Sequence, residues 1–314
     1  MDSSEELTVL SLCTGYSGIE LGLERLGLRL RPIAFVEREG FAAANLVAKV
    51  EEGKLAAAPV YTDVKTFPYE RFHGLVDILL AGYPCTPFST AGERKGKADP
   101  RHLWPYIADG IAACRPSVVF AENVEGHIAV GLRDVLHDLG ELGYRTTWGI
   151  FSAAEVGAPH QRKRIFILGE LADTGSARAA TWLSESQQRK EGHAEKPDNG
   201  GNRRFPARLG QPQFYWEEPR TVVNTRSAKS LRLSDEERAG VSEAGNASGR
   251  KAESELGGTT YGTASGVDAT TSRVERLRML GNGVVPHTAA KAFSTLSGRL
   301  ADVIGTLNPP RKSG

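Results

Sequence analysis

In the stretch VDILLAGYPCTPFSTAG, residues 76–92, an apolar run turns at Gly82 and delivers Cys85 between Pro84 and Pro87. A cysteine that only fills a core behaves as a small hydrophobe and needs no such stiff setting. The prolines restrict the backbone on either side, while Gly82 and Ser89 leave room for a close ligand. A thiol held out at a strand end has the setting of a nucleophile, which reacts as the thiolate. Glu122 and Asn123 end another apolar run, VVFAENV, where a carboxylate is seldom placed without a hydrogen-bond partner. In HQRKRIFIL, Arg162 and Arg164 alternate just before a third run, so both point to one side of it. Singly, each has a plainer reading: a buried thiol, as suits Cys114 and Cys13, a helix-capping glutamate, and a solvated basic face.

A second set of residues suits a nucleoside-containing cofactor. CTGYSG joins a strand to a helix through Gly15, Ser17 and Gly18, small residues that let backbone N–H groups approach a ligand at a helix N-terminus. Glu37 ends the next strand, where a carboxylate can accept ribose hydroxyls, and Asp63 follows VYT in the same way. An ordinary tight turn and two surface acids would explain them one at a time. Their order along the chain favours the cofactor.

The elements that must carry these groups alternate. LTVLSL, IAFVE, VYTDV, VDILLAG, SVVFAENV and RIFILGEL read as strands, and IELGLERLG, FAAANLVAKVEEG and VGLRDVLHDLGELG read as helices. Apolar strands separated by helices give an α/β fold with a mostly parallel sheet covered on both faces. In such sheets ligands bind beyond the carboxyl ends of the strands, which gathers CTGYSG, Glu37, Asp63, GYPC and ENV along one edge. From Asp173 to Ser272 the texture changes to Gly, Ser, Thr, Asn and Arg with balanced charge, read as loop with short folded islands. Periodicity returns with GNGVVP and an amphipathic helix from about Thr288. Three segments result: a catalytic and cofactor-binding part at 1–172, a variable part at 173–272, and a return at 273–314.

Composition bounds the rest. The chain has 314 residues, 39 Lys+Arg against 38 Asp+Glu, which excludes a charge-dominated nucleic-acid binder while leaving room for a local basic cleft. Three scattered cysteines argue against a disulfide framework or a zinc site and for a reducing compartment. The acidic start MDSSEELTVL has no signal-peptide pattern, and no apolar run approaches the ~20 residues a membrane span needs. A cytoplasmic, monomeric, metal-free protein is the expectation.

With these residues in order, the chain resembles the cytosine-C5 DNA methyltransferases. The resemblance covers 7–171 and 273–298 and rests on CTGYSG, Glu37, Asp63, GYPCTPFS, DPRHLW, ENV, HQRKR and GNGVVP taken together. It implies a methyltransferase-type, Rossmann-like sheet joined to a small variable target-recognition domain, with S-adenosylmethionine as cofactor and double-stranded DNA as substrate. It further implies Cys85 as nucleophile, Glu122 at cytosine N3, Arg164 at O2 and Arg162 in support, with Ser89 and Asn123 on the substrate side. Thr14, Gly15, Gly18, Ile19, Glu37, Asp63, Pro84, Leu103 and Asn282 would hold the cofactor. The pattern departs at Cys13, where the family has an aromatic, at Ser17, where it has glycine, and at His160, where it often has glutamine. Arg203, Arg204, Gln211, Gln213 and Arg220 are candidate base readers. A transfer-RNA substrate, a non-catalytic DNA binder and a cysteine hydrolase are the alternatives. The missing CFT stretch weighs against the first, retention of both Cys85 and Glu122 against the second, and the want of a histidine partner against the third.

Overall fold

Residues two apart on each strand point to the same side, and each side of the sheet is apolar and covered. The structure, a computed structural model, describes residues 6–84, 103–158, 160–172, 178–191, 279 and 281–307. Its elements are β1 (Leu7–Leu12), α1 (Gly18–Arg25), β2 (Leu30–Val36), α2 (Gly40–Glu51), β3 (Val60–Tyr61), β4 (Ile78–Gly82), α3 (Trp104–Cys114) and β5 (Val118–Val124). Then come α4 (His127–Val130), α5 (Leu132–Glu141), β6 (Tyr144–Phe151), β7 (Arg164–Leu171), α6 (Arg178–Glu191) and α7 (Pro286–Leu307).

The sheet order is β3-β2-β1-β4-β5-β7-β6, parallel from β3 to β5, with β7 antiparallel to both its neighbours. From β1 the chain first builds outward through β2 and β3, then crosses back to β4 on the other side. That reversal opens a crevice beyond the carboxyl ends of β1 and β4, the place where ligands bind in doubly wound sheets. The α/β, mostly parallel fold read from the sequence is the one observed.

One face buries Leu10, Leu12, Leu79, Val119 and Ile167 under α3 and α5; the other buries Val9, Ile78, Leu80, Phe120 and Phe166 under α1, α6 and α7. Helices α1 and α7 cross closely because position 22 is glycine: a Cβ there would come 2.5 Å from the Pro286 carbonyl oxygen and 2.8 Å from the Ala289 Cβ. Strand β3 is shorter than VYTDV suggests, and α7 begins at Pro286, two residues before the expected start. Within the stretch assigned to the variable region, Arg178–Glu191 forms α6, and its Ala179 and Trp182 join the second apolar layer.

Phe120 is fully buried, stacked on Phe166 at 5.5 Å and edge-on to Phe293 of α7 at 5.2 Å. Phe120→Ala is expected to lower unfolding free energy by about 3–5 kcal/mol in urea titrations, through lost burial and the cavity left behind. A loss under about 1 kcal/mol would show that this ring cluster does not hold α7 to the sheet.

Candidate active site at the strand tips

The turn between β1 and α1 is bent through left-handed backbone at Cys13, Gly15 and Ser17, with φ of 51°, 59° and 68°. Thr14 Oγ1 donates to the Ser11 carbonyl and hydroxyl at 3.1 and 3.0 Å, which closes the turn against its own strand. Glu37, at the tip of β2, accepts the backbone N–H of Gly15 at 2.7 Å and of Glu39 at 2.8 Å, one on each carboxylate oxygen. Burial raises its pKa, and those N–H groups oppose the rise. Asp63 Oδ1 accepts the Lys65 N–H at 2.9 Å, a local turn that fixes its carboxylate. Ile19 is buried, Leu103 is half-buried against the α3 layer, and Pro84 and Asn282 are exposed.

Two small residues of the turn are also set by the protein around them. Gly18 is needed by protein, because a Cβ there would sit 2.2 Å from the Val284 carbonyl oxygen of the return segment. Ser17 occupies the N-cap position of α1 without a capping bond, and its hydroxyl is fully buried with no hydrogen-bond partner among the described residues.

Sheet register brings the acid and one arginine together. Gly82 of β4 lies opposite Glu122 of β5, and in the antiparallel β5–β7 pair Val124 lies opposite Arg164, so Glu122 and Arg164 meet diagonally on one face. Arg164 Nε is 2.9 Å from Glu122 Oε1; the pair is close but not aligned as a directed hydrogen bond. Burial pushes the Glu122 carboxyl up to about 7, against the opposing pull of Arg164 and Arg162. Arg162 has φ of 33° and turns its guanidinium to the return segment, donating to the carbonyls of Gly281, at 2.8 Å, and Gly283. Arg162 precedes β7 and has left-handed backbone, so strand alternation does not relate it to Arg164, and the two arginines grip different partners.

Tyr83 is the stem that leads toward the cysteine. Its carbonyl accepts Asn123 Nδ2 at 3.1 Å, its hydroxyl meets His127 Nε2 at 3.0 Å, and its ring packs beside Trp104. Cys85, Ser89 and the candidate base readers Arg203, Arg204, Gln211, Gln213 and Arg220 lie outside the described residues. Tyr16, Tyr83 and His127 were not singled out by sequence reasoning. A usable signal existed for Tyr16, an aromatic set between turn residues of small side chain, but a lone His127 carries none.

Beneath the turn lies a polar patch inside the core: Ser11, Glu20, Asn45 and Lys49 are all at most 3% exposed. Lys49 Nζ donates to the Tyr16 carbonyl and lies 5.4 Å from the Tyr16 ring centroid. Burial pushes the Glu20 carboxyl from 4.5 to about 7, opposed by Ser11, by its own backbone N–H and by the Lys49 charge. Such a group binds its proton more tightly in the folded state, so its contribution to stability falls as pH rises from about 4.5 to about 7. Glu20→Gln should make that fall shallower and should stabilise the protein by roughly 1–3 kcal/mol at pH 8, with the advantage gone near pH 4.5. Denaturant titrations across that range check it; an unchanged slope would refute the ionisation cost.

Residues 7–252 match the family described as C-5 cytosine-specific DNA methylase. That match runs into the middle stretch, which the resemblance read from motifs left out, and it stops short of the return segment. The chain is 30% identical over 167 residues to the type II methyltransferase M.NgoMIV of Neisseria gonorrhoeae, covering 52% of this chain and 51% of that protein. It is 34% identical over 163 residues to the type II methyltransferase M.CviJI of Paramecium bursaria Chlorella virus IL3A, covering 51% of this chain and 42% of that one. The chain thus spans about half or less of the curated relatives' length in these matches. Among solved structures, S. pombe Dnmt2 methyltransferase aligns at a TM-score of 0.44 and 24% identity, covering 52% of this chain and 51% of the other. On the span of the family match, which takes in well over half of its residues, the chain belongs to the C-5 cytosine-specific DNA methylases.

Proposed function

We propose that the protein transfers a methyl group from S-adenosylmethionine to C5 of a cytosine turned out of double-stranded DNA, through a temporary bond between Cys85 and ring carbon C6. The observation that carries this reading is the buried Glu122 paired with the partly buried Arg164 at the tips of β5 and β7, facing Gly82 at the root of the segment that leads to Cys85.

The residues at the tips of β1 and β2 fit the cofactor. The Glu37 carboxylate is oriented by two backbone N–H groups that leave each oxygen a further lone pair for a hydroxyl. Among the described residues a Cβ at Gly15 would meet nothing within 4 Å, which leaves room beside the turn on that side. Thr14, Gly15, Gly18, Ile19, Glu37, Asp63, Pro84, Leu103 and Asn282 are the residues assigned to hold it, with Gly18 acting through the packing of the turn. When bound, the cofactor supplies a methyl group activated on a sulfonium.

Cytosine C5 is too weak a nucleophile to take that group unaided. Addition of the Cys85 thiolate at C6 breaks the C5–C6 double bond and gives the ring enamine character, which makes C5 reactive. Electron density then builds at N3 and O2. Glu122, its carboxyl raised to about 7, can hold a proton toward N3, and the Arg164 guanidinium beside it can offer a donor to O2. Asn123 fixes the Tyr83 carbonyl and so the stem of the nucleophile loop, and Ser89 is assigned to the substrate side. Loss of the C5 proton and departure of the Cys85 sulfur restore the double bond. The base has to leave the helical stack for this, which costs a few kcal/mol, to be offset by phosphate contacts.

The setting we propose is that of a bacterial or phage modification enzyme working in the cytoplasm as a monomer, with the middle stretch choosing the DNA sequence. Among the described residues no helix is long and apolar enough to cross a membrane.

The test uses random-sequence duplex DNA containing 5-fluorocytosine together with the cofactor. The parent protein should form an adduct that survives denaturing electrophoresis, Cys85→Ser should form none while still binding cofactor, and Glu122→Gln should methylate ordinary DNA about 10²–10⁴-fold more slowly. Absence of adduct with duplex DNA, or labelling of transfer RNA alone, would overturn the proposal.

A further inference from the structure

We infer that Tyr16 is a positioning residue that clasps the returning chain onto the β1–α1 turn, so that the cofactor site is complete only while the clasp is closed; this rests on reading that turn as the cofactor site. Tyr16 is 4% exposed and is held at both ends. Its carbonyl accepts Lys49 Nζ from α2, and its hydroxyl donates to the Val284 carbonyl, 268 residues further along the chain. Burial raises its phenol pKa, with Arg162 opposing and Glu122 adding to the rise, so the hydroxyl remains a donor.

The partner segment is shaped for this ring. A Cβ at Gly283 would sit 2.0 Å from Tyr16 Cε1, and one at Gly18 would sit 2.2 Å from the Val284 oxygen. Glycine is therefore required on each side of the contact for steric reasons. From the opposite side Arg162 takes the carbonyls of Gly281 and Gly283. Three carbonyls in four residues of the return segment are thus fixed, two by an arginine beside the Glu122 site and one by the cofactor turn. Met279 and Ala42 pack with the same ring, so the place where the chain comes back from the middle stretch is part of the clasp.

Nothing in this arrangement requires Tyr16 to touch a reacting atom. Its effect is on where the turn lies, so it should be seen in cofactor affinity more than in turnover at saturation.

Calorimetric titration with S-adenosylmethionine tests the inference, alongside turnover on duplex DNA and thermal melting. Tyr16→Phe, which keeps the ring and removes the hydroxyl, should weaken cofactor binding about tenfold, as expected for losing a buried hydrogen bond and stranding the Val284 carbonyl. Turnover at saturating cofactor should stay within about twofold of the parent, and the melting midpoint within a few degrees. Gly283→Ala should weaken binding strongly when Tyr16 is present and add little in a Tyr16→Leu background, because the clash is then gone. Parent-like affinity in Tyr16→Phe, or an equal effect of Gly283→Ala in both backgrounds, overturns the clasp. So does a matched loss of turnover and melting with unchanged affinity, the pattern of a purely structural residue. If the parent itself binds no S-adenosylmethionine, the cofactor reading falls and the clasp with it, an outcome distinct from a binding parent with unaffected variants.

Discussion

Glu122 has a guanidinium nitrogen 2.9 Å away, yet its carboxyl is raised to about 7. In water such a neighbour would lower it. At the tip of β5 the side chain is 5% exposed, and the loss of hydration outweighs the attraction. Much of the surrounding architecture maintains that balance. Apolar β4 and β7 flank the acid, the diagonal register sets a single arginine beside it, and Gly82 brings no side chain between β4 and the carboxylate. Arg162 adds a second pull, while its two terminal nitrogens donate to backbone carbonyls of the return segment. Were both guanidinium groups turned onto the acid, it would stay ionised and have no proton to offer near neutral pH.

The strand tips were legible in the sequence because parallel strands buried on both faces read as unbroken apolar runs, and because acids and glycines following such runs stand out. LTVLSL, VDILLAG, SVVFAENV and RIFILGEL are all strands in the structure. β6 was not anticipated: YRTTWGIF is an edge strand with Trp148 and Ile150 exposed and no continuous apolar stretch. α6 was not anticipated as a helix, because its sequence is polar overall and its buried side is made by few residues, Ala179, Trp182, Leu183 and Ser186.

Site residues divide in the same manner. Glu122 and Arg164 could be paired on paper once each was placed at a strand tip, since pairing follows from register. The Tyr16–Val284 bond and the Tyr83–His127 bond could not, because they join distant segments with no periodicity to connect them. At Gly18 the structure adds a close approach by the Val284 carbonyl oxygen that the sequence did not reveal. A small residue records that something comes close, but not whether that something is ligand or protein.

Helices α6 and α7 pack against each other on one layer of the sheet, although the first ends at Glu191 and the second begins at Pro286. Chain-closure entropy grows only slowly with length, so two ends anchored at α6 and α7 tolerate a change in the number of residues between them.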